Sequence, residues 1–279
     1  MRYFLRALLV LFLTVLTQVG GLIYLCSLSI LWRIDLRGLS PLRRRFLRMG
    51  VHIGFYTLVT FLVIPPLAAR FGRVPLPAFR EGHLKPRTFF TAWLNRNYVR
   101  PELRRMVRDV AAKMGEKHPH FELNYFDANF PFRLGIGPFR RDGFPLKPHK
   151  SHFDGKQLDI GLVYRDAGTG ELSPRTPSAI GYGISEEPLP GETDFPAKCS
   201  HNWKYSFMNR IWPKASRKHY QFDPAITREL MMYFVRDRRI EKIFFEPHLT
   251  HRLRLGSAKI GPAGCGAVRH DDHFHIRLQ

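Results

Sequence analysis

From Ala7 to Trp32 the chain runs ALLVLFLTVLTQVGGLIYLCSLSILW with no formally charged residue. About 20 apolar residues are enough to cross a bilayer as a helix. The run is too long for an ordinary signal peptide and has no small-residue cleavage site. A second run, GVHIGFYTLVTFLVIPPLAA from Gly50 to Ala69, is uncharged apart from any charge on His52. Pro65 and Pro66 fall near its end, where helices in lipid tolerate proline. Neither run has the polar face of a helix lying on a membrane surface. Between them, RIDLRGLSPLRRRFLRM sets Arg33, Arg37, Arg43, Arg44, Arg45 and Arg48 against Asp35 alone. A short loop so rich in arginine stays in the cytoplasm. The expectation is a two-helix transmembrane hairpin within residues 1–73, embedded through residues 7–32 and 50–69. Its direction puts the N-terminus and everything after Arg73 on the far side.

The chain carries 44 Lys and Arg against 23 Asp and Glu, a formal charge of +21. Such an excess invites a nucleic-acid reading. No aromatic–basic recognition motif accompanies it, and the hairpin directs the remainder away from the cytoplasm, so no nucleic-acid partner is expected. Much of the charge flanks the apolar runs, and the rest suits an anionic partner such as a wall polymer or lipid headgroups. A 44% hydrophobic content is enough for a packed core and argues against wholesale disorder. Cys26 lies in an apolar run and reads as a small buried hydrophobe. Cys199 and Cys265 fall in the outward part, where an oxidising compartment allows them to pair.

After GRVPLPAF, residues 74–120 read as a linker and a juxtamembrane helix. Pro101 suits a first turn. Leu103, Met106, Val107, Val110, Ala111 and Met114 repeat at helical spacing, and Gly115 can end the run. Residues 121–279 read as one domain. FELNYFDANF, QLDIGLVY, IEKIFFE and HFHIRL are strand-like, and a helix starts at the Asp223 N-cap with Pro224 and runs to about Arg238. The Gly/Pro-rich stretch from Ser173 to Pro196 is expected to wall a cleft or cover one edge, and EPHLTHRL to be a loop after a strand. Strands mixed with separate helices predict an α+β fold.

On a strand, side chains two apart share a face. In HFHIRL this sets His273, His275 and Arg277 opposite Phe274, Ile276 and Leu278. Upstream, PHKSHFDGKQLDIGLVY places His152 seven positions before Asp159, with Gly155 between them for a turn. Asp159 lies at the start of an apolar strand, where an unpaired charge is costly to bury. Zinc resolves that cost, since it takes neutral imidazole and carboxylate oxygen, three protein ligands in a catalytic site. In EPHLTHRL, His248 is a group that contacts substrate or orients a ligand; the His-Glu-x-x-His order of the zincins is missing.

Together these motifs resemble the LAS metallopeptidases, a group that includes lysostaphin, D-Ala-D-Ala peptidases and the hedgehog signalling domain. HKSHFDGKQLDI with HDDHFHIRL is most similar to the penicillin-insensitive murein endopeptidases, over roughly Phe121 to the C-terminus. The resemblance implies a small antiparallel sheet with flanking helices. It implies Zn2+ held by His152, Asp159 and His275, with His273 and His270 as catalytic histidines and His149 lining the site. Taken with the hairpin, it further implies an inner-membrane protein, multi-pass, with a periplasmic domain that hydrolyses D-amino-acid cross-links in peptidoglycan. A D-Ala-D-Ala carboxypeptidase, and a non-catalytic zinc-stabilised wall-binding or signalling module, are the alternatives. Pro148 stands where the family has glycine, FDANF where a glycine-rich element is expected, and Asp272 adds a carboxylate.

Overall fold

The computed structural model describes residues 1–132 and 152–279. Its centre is a six-stranded sheet in the order Leu84–Pro86, Leu123–Tyr125, Gln157–Gly161, His273–Leu278, Ile240–Phe244, Ile260–Gly261. The inner pairings are antiparallel, and the outermost pairing on each side is parallel. The fold is α+β, but the sheet is mixed where the resemblance implied an antiparallel one. The reason is connectivity. Parallel neighbours need a crossover, and a helix supplies it in each case: Pro101–Lys117 before Leu123, and Pro247–Arg252 before Ile260.

Residues 74–120 therefore belong to the domain; they are not a linker to it. Leu84–Pro86 supplies an edge strand, and Leu103, Met106, Val107, Val110 and Met114 pack into the main core. Gly115 does not end its helix, which continues to Lys117. It makes room for a ring instead: a Cβ there would lie 2.2 Å from the His83 side chain. The Asp223 cap forms as its sequence predicts, accepting from Ile226 N at 2.9 Å, and the helix Pro224–Arg236 buries Leu230, Met231 and Phe234 on the same sheet face. Phe274 and Ile276 of the last strand meet these helices fully buried, with Phe274 and Phe234 rings 5.8 Å apart. Burying such a side chain is worth about 1.5–3 kcal/mol, so this face fixes the register of the histidines on the other. EPHLTHRL is not a loop: Pro247–Arg252 is a short helix.

The N-terminal run is not one helix. It breaks at Gln18, whose φ is 69°, into Arg2–Thr17 and Gly20–Trp32. The cause is tertiary. Gln18 Nε2 donates to Phe132 O at 2.7 Å, and its Oε1 accepts from Phe132 N at 2.9 Å. Beyond the break the chain folds back, so a Cβ on Gly21 would lie 2.1 Å from Thr14 Oγ1 and 2.5 Å from Val10 O. Cys26 is exposed on the second of these helices, not buried as expected. Pro41–Arg70 is a continuous helix of 30 residues with mean hydropathy 1.7 over its best window, and among the described residues it alone is long and apolar enough to cross a membrane. A π-helical turn at Val59–Val63 precedes Pro65 and Pro66 and absorbs the missing N–H donors.

Candidate metal centre

Gln157–Gly161 and His273–Leu278 are antiparallel neighbours in which His275 stands opposite Asp159. A cross-strand pair of this kind brings side chains of one face together. His275 Nδ1 lies 2.8 Å from Asp159 Oδ1. His152 reaches the same carboxylate from the turn before the strand, with Nε2 3.4 Å from Asp159 Oδ2. That turn needs Gly155, which has φ 79° and donates its N–H to Asn129 Oδ1 at 3.1 Å. One ligand atom from each of His152, Asp159 and His275 falls within 4.8 Å of the others, and all three residues are buried. This group could hold a metal ion.

The electrostatics agree with that capacity. Burial would raise the Asp159 carboxyl, yet the facing imidazoles of His152 and His273 hold it well below its ordinary value. Burial lowers His275 despite the neighbouring Asp159, which favours the neutral, ligating imidazole. His275 Nε2 lies 3.0 Å from Gln157 Oε1; with that oxygen accepting, Nδ1 keeps its lone pair toward the centre. Tyr182 donates its hydroxyl to Asp159 Oδ2 at 2.7 Å. Burial first, and the Asp159 charge second, push the Tyr182 phenol well up, so it stays a donor.

His273 stands beside this group. Its Nδ1 is 2.5 Å from Asp272 Oδ1, and its Nε2 lies 3.7 Å from Asp159 Oδ1 with no hydrogen-bond partner among the described residues. Burial works against a charge on His273, but Asp159 and Asp272 outweigh it and raise the group. His270 packs its ring 4.9 Å from that of His273 and 5.9 Å from that of His275. Burial, with the neighbouring histidines adding to it, drives His270 well below its ordinary value. Its backbone N–H donates to Glu246 Oε1 at 3.1 Å.

The five expected residues His152, Asp159, His270, His273 and His275 are thus brought together. His149 lies outside the described residues. His248 does not join the cluster: it is buried, and its Nε2 sits 2.7 Å from Glu186 O. It fixes the wall instead. That wall is the segment after Ser173, and Gly183 N donates to Asp272 Oδ2 at 2.6 Å while Glu186 N donates to Asp271 O at 2.8 Å. Cys199 and Cys265 form a disulfide with Cα atoms 5.0 Å apart, tying the wall's far end to the approach to the last strand.

Sequence reasoning missed the roles of Gln157, Tyr182 and Glu246, and met Asp272 only as a departure from a pattern. Gln157 had a signal, since it is two positions before Asp159 on a strand. Tyr182 had a weak one, a lone aromatic between Gly181 and Gly183, whose φ values are 98° and 89°. The class defined by fold and site is an α+β domain with a buried histidine–carboxylate group that could hold a metal ion. No protein-family model matches the chain, and no curated protein is similar to it.

Proposed function

We propose that this chain is a membrane-anchored, zinc-dependent peptidase acting on murein, with endopeptidase action on D-amino-acid cross-links as the favoured reaction. One observation carries the reading: His152, Asp159 and His275 converge within 4.8 Å beside a His273–Asp272 pair. Zinc fits this donor set, because two imidazoles and one carboxylate leave a fourth position for water or substrate. A zinc ion held by His152, Asp159 and His275 would supply Lewis-acid activation of a water and of a scissile carbonyl. His273, oriented by Asp272, has its free Nε2 available to take a proton and hand it to a leaving amine. Neutral His270 is a hydrogen-bonding group beside it. Tyr182 and Gln157 hold the Asp159 carboxylate and the His275 ring in the orientation that ligation needs.

Anchoring rests on Pro41–Arg70, with the shorter apolar helices Tyr3–Thr17 and Gly20–Trp32 beside it. The arginines at its start favour a cytoplasmic end there. The Cys199–Cys265 disulfide favours an oxidising compartment for the domain. An inner membrane facing a periplasm meets both conditions.

The test is digestion of purified muropeptides by the metal-loaded protein, followed by mass spectrometry. Loss of cross-links, abolished in His273→Ala with metal retained, is expected. Loss of terminal D-Ala alone would make the chain a carboxypeptidase. Bound zinc without any cleavage would make it a binding module.

A further inference from the structure

We infer that the domain does not hang clear of the membrane: an apron of Phe79, Phe89 and Phe90 is sunk into the outer part of the bilayer beside the Pro41–Arg70 helix. The inference rests on the anchoring reading above and is independent of any enzymatic activity. These rings are 69%, 37% and 59% exposed. They form one connected surface with the helix. Phe61 of the helix stacks on Phe89 at 5.8 Å, Phe89 on Phe79 at 5.4 Å, and Phe90 meets Trp93 at 6.0 Å. Leu58, Leu62 and Val63 of the helix continue the surface, each exposed.

Helix length sets the depth. Arg48 is the last arginine before the apolar run, and from there to Arg70 the helix rises about 33 Å. That matches a hydrocarbon core of about 30 Å. From Arg48 to Phe61 the rise is only about 20 Å, so Phe61 and the rings stacked on it lie below the outer headgroups. Hydrogen bonds at Tyr56 and Thr57, about 12–14 Å above Arg48, tie the domain to the helix just below that level. Tyr56 donates to Trp93 O at 2.6 Å, Trp93 Nε1 donates to Thr57 Oγ1 at 3.0 Å, and Asn95 Nδ2 donates to Tyr56 OH at 3.2 Å. Polar groups paired between helix and domain are what lipid demands at this depth. Arg70 is exposed at the end of the long helix, where phosphate headgroups would meet it, while Arg80, beside Phe79, pairs with Glu122 at 3.0 Å. Lipid is the occupant that this continuity of apolar surface and flanking charge selects.

The full chain, in a Cys26→Ala background and in nanodiscs of phosphatidylethanolamine and phosphatidylglycerol, allows the test. Single variants Phe79→Cys and Phe90→Cys are compared with Leu189→Cys, which is 55% exposed on the wall, and Ile53→Cys, 47% exposed within the apolar run of the helix. A membrane-impermeant maleimide is expected to label the two apron cysteines at least about tenfold more slowly than position 189, since it does not enter the acyl region. A bimane carried at position 90 is expected to be quenched by brominated lipid. Labelling of the apron at the Leu189→Cys rate, with Ile53→Cys protected, would overturn the apron and leave the anchor. Free labelling of Ile53→Cys as well would remove both. Protection lost on diluting the discs would assign the face to a second copy and overturn the lipid assignment.

Discussion

The centre is built by residues that constrain one another's freedom. Asp159 accepts a bond from Tyr182 at 2.7 Å and faces His275 Nδ1 at 2.8 Å, so its carboxylate is held in place. Tyr182→Phe removes that bond and little volume. Metal affinity is expected to fall about 10–100-fold, read by competition with a chelator, while the melting temperature changes little. Glu246 makes a separate forecast. Burial, with Asp271 adding to it, raises its carboxyl from 4.5 to about 7. Between about pH 4.5 and about pH 7 the unfolded chain has released a proton that the folded one keeps, so stability falls as pH rises, by about 3 kcal/mol in total, and the loss is complete above that window. Glu246→Gln is expected to lose this slope, measured as denaturant midpoints at about pH 5 and about pH 8 against the parent. An equal slope in the variant would assign the effect elsewhere. At this scale His152, Asp159 and His275 were legible, because strand alternation and ligand chemistry are both local. Tyr182 was not, since nothing near it in sequence says which carboxylate it will meet.

At the scale of elements, the last strand and the Asp223-capped helix were legible from alternation and capping alone. The break at Gln18 was not: its partner is Phe132, and only the folded chain brings the two together. The same holds for the edge strand Leu84–Pro86, which is too short to announce itself and exists because Leu123–Tyr125 pairs with it. Helix Pro247–Arg252 follows Glu246, whose buried carboxylate is occupied with His270 N, so the cue was hidden in a site residue. The wall has little regular structure and depends on its fastenings. Its disulfide closes a separation of 66 residues. Loss of a link over a loop of that size costs about 4 kcal/mol in the chain-entropy view. Cys199→Ser with Cys265→Ser is therefore expected to shift the denaturant midpoint strongly downward, and an unchanged midpoint would show that the wall holds without the link.

Across the whole molecule, the end of the long apolar helix is joined directly to the neighbourhood of the candidate metal group. Arg73, three residues past the long helix, donates to Phe130 O and Phe153 O, both at 2.5 Å, and Phe153 is the immediate neighbour of His152. Asn129 donates to Gln157 O at 2.9 Å and so joins the same region to the strand that carries Asp159. The apolar composition of the N-terminal part was plain from sequence, whereas its attachment to the domain was not, because it runs through backbone carbonyls that carry no sequence signal. The proposed function turns on a single ion that His152, Asp159 and His275 could hold between a turn and two strands. The most direct measurement is the metal content of the full-length protein purified without chelator, by mass spectrometry of the elements, beside Asp159→Asn. About one zinc per folded chain is expected for the parent, and close to none for the variant. A folded parent free of metal, or a variant that keeps the full complement, would contradict it.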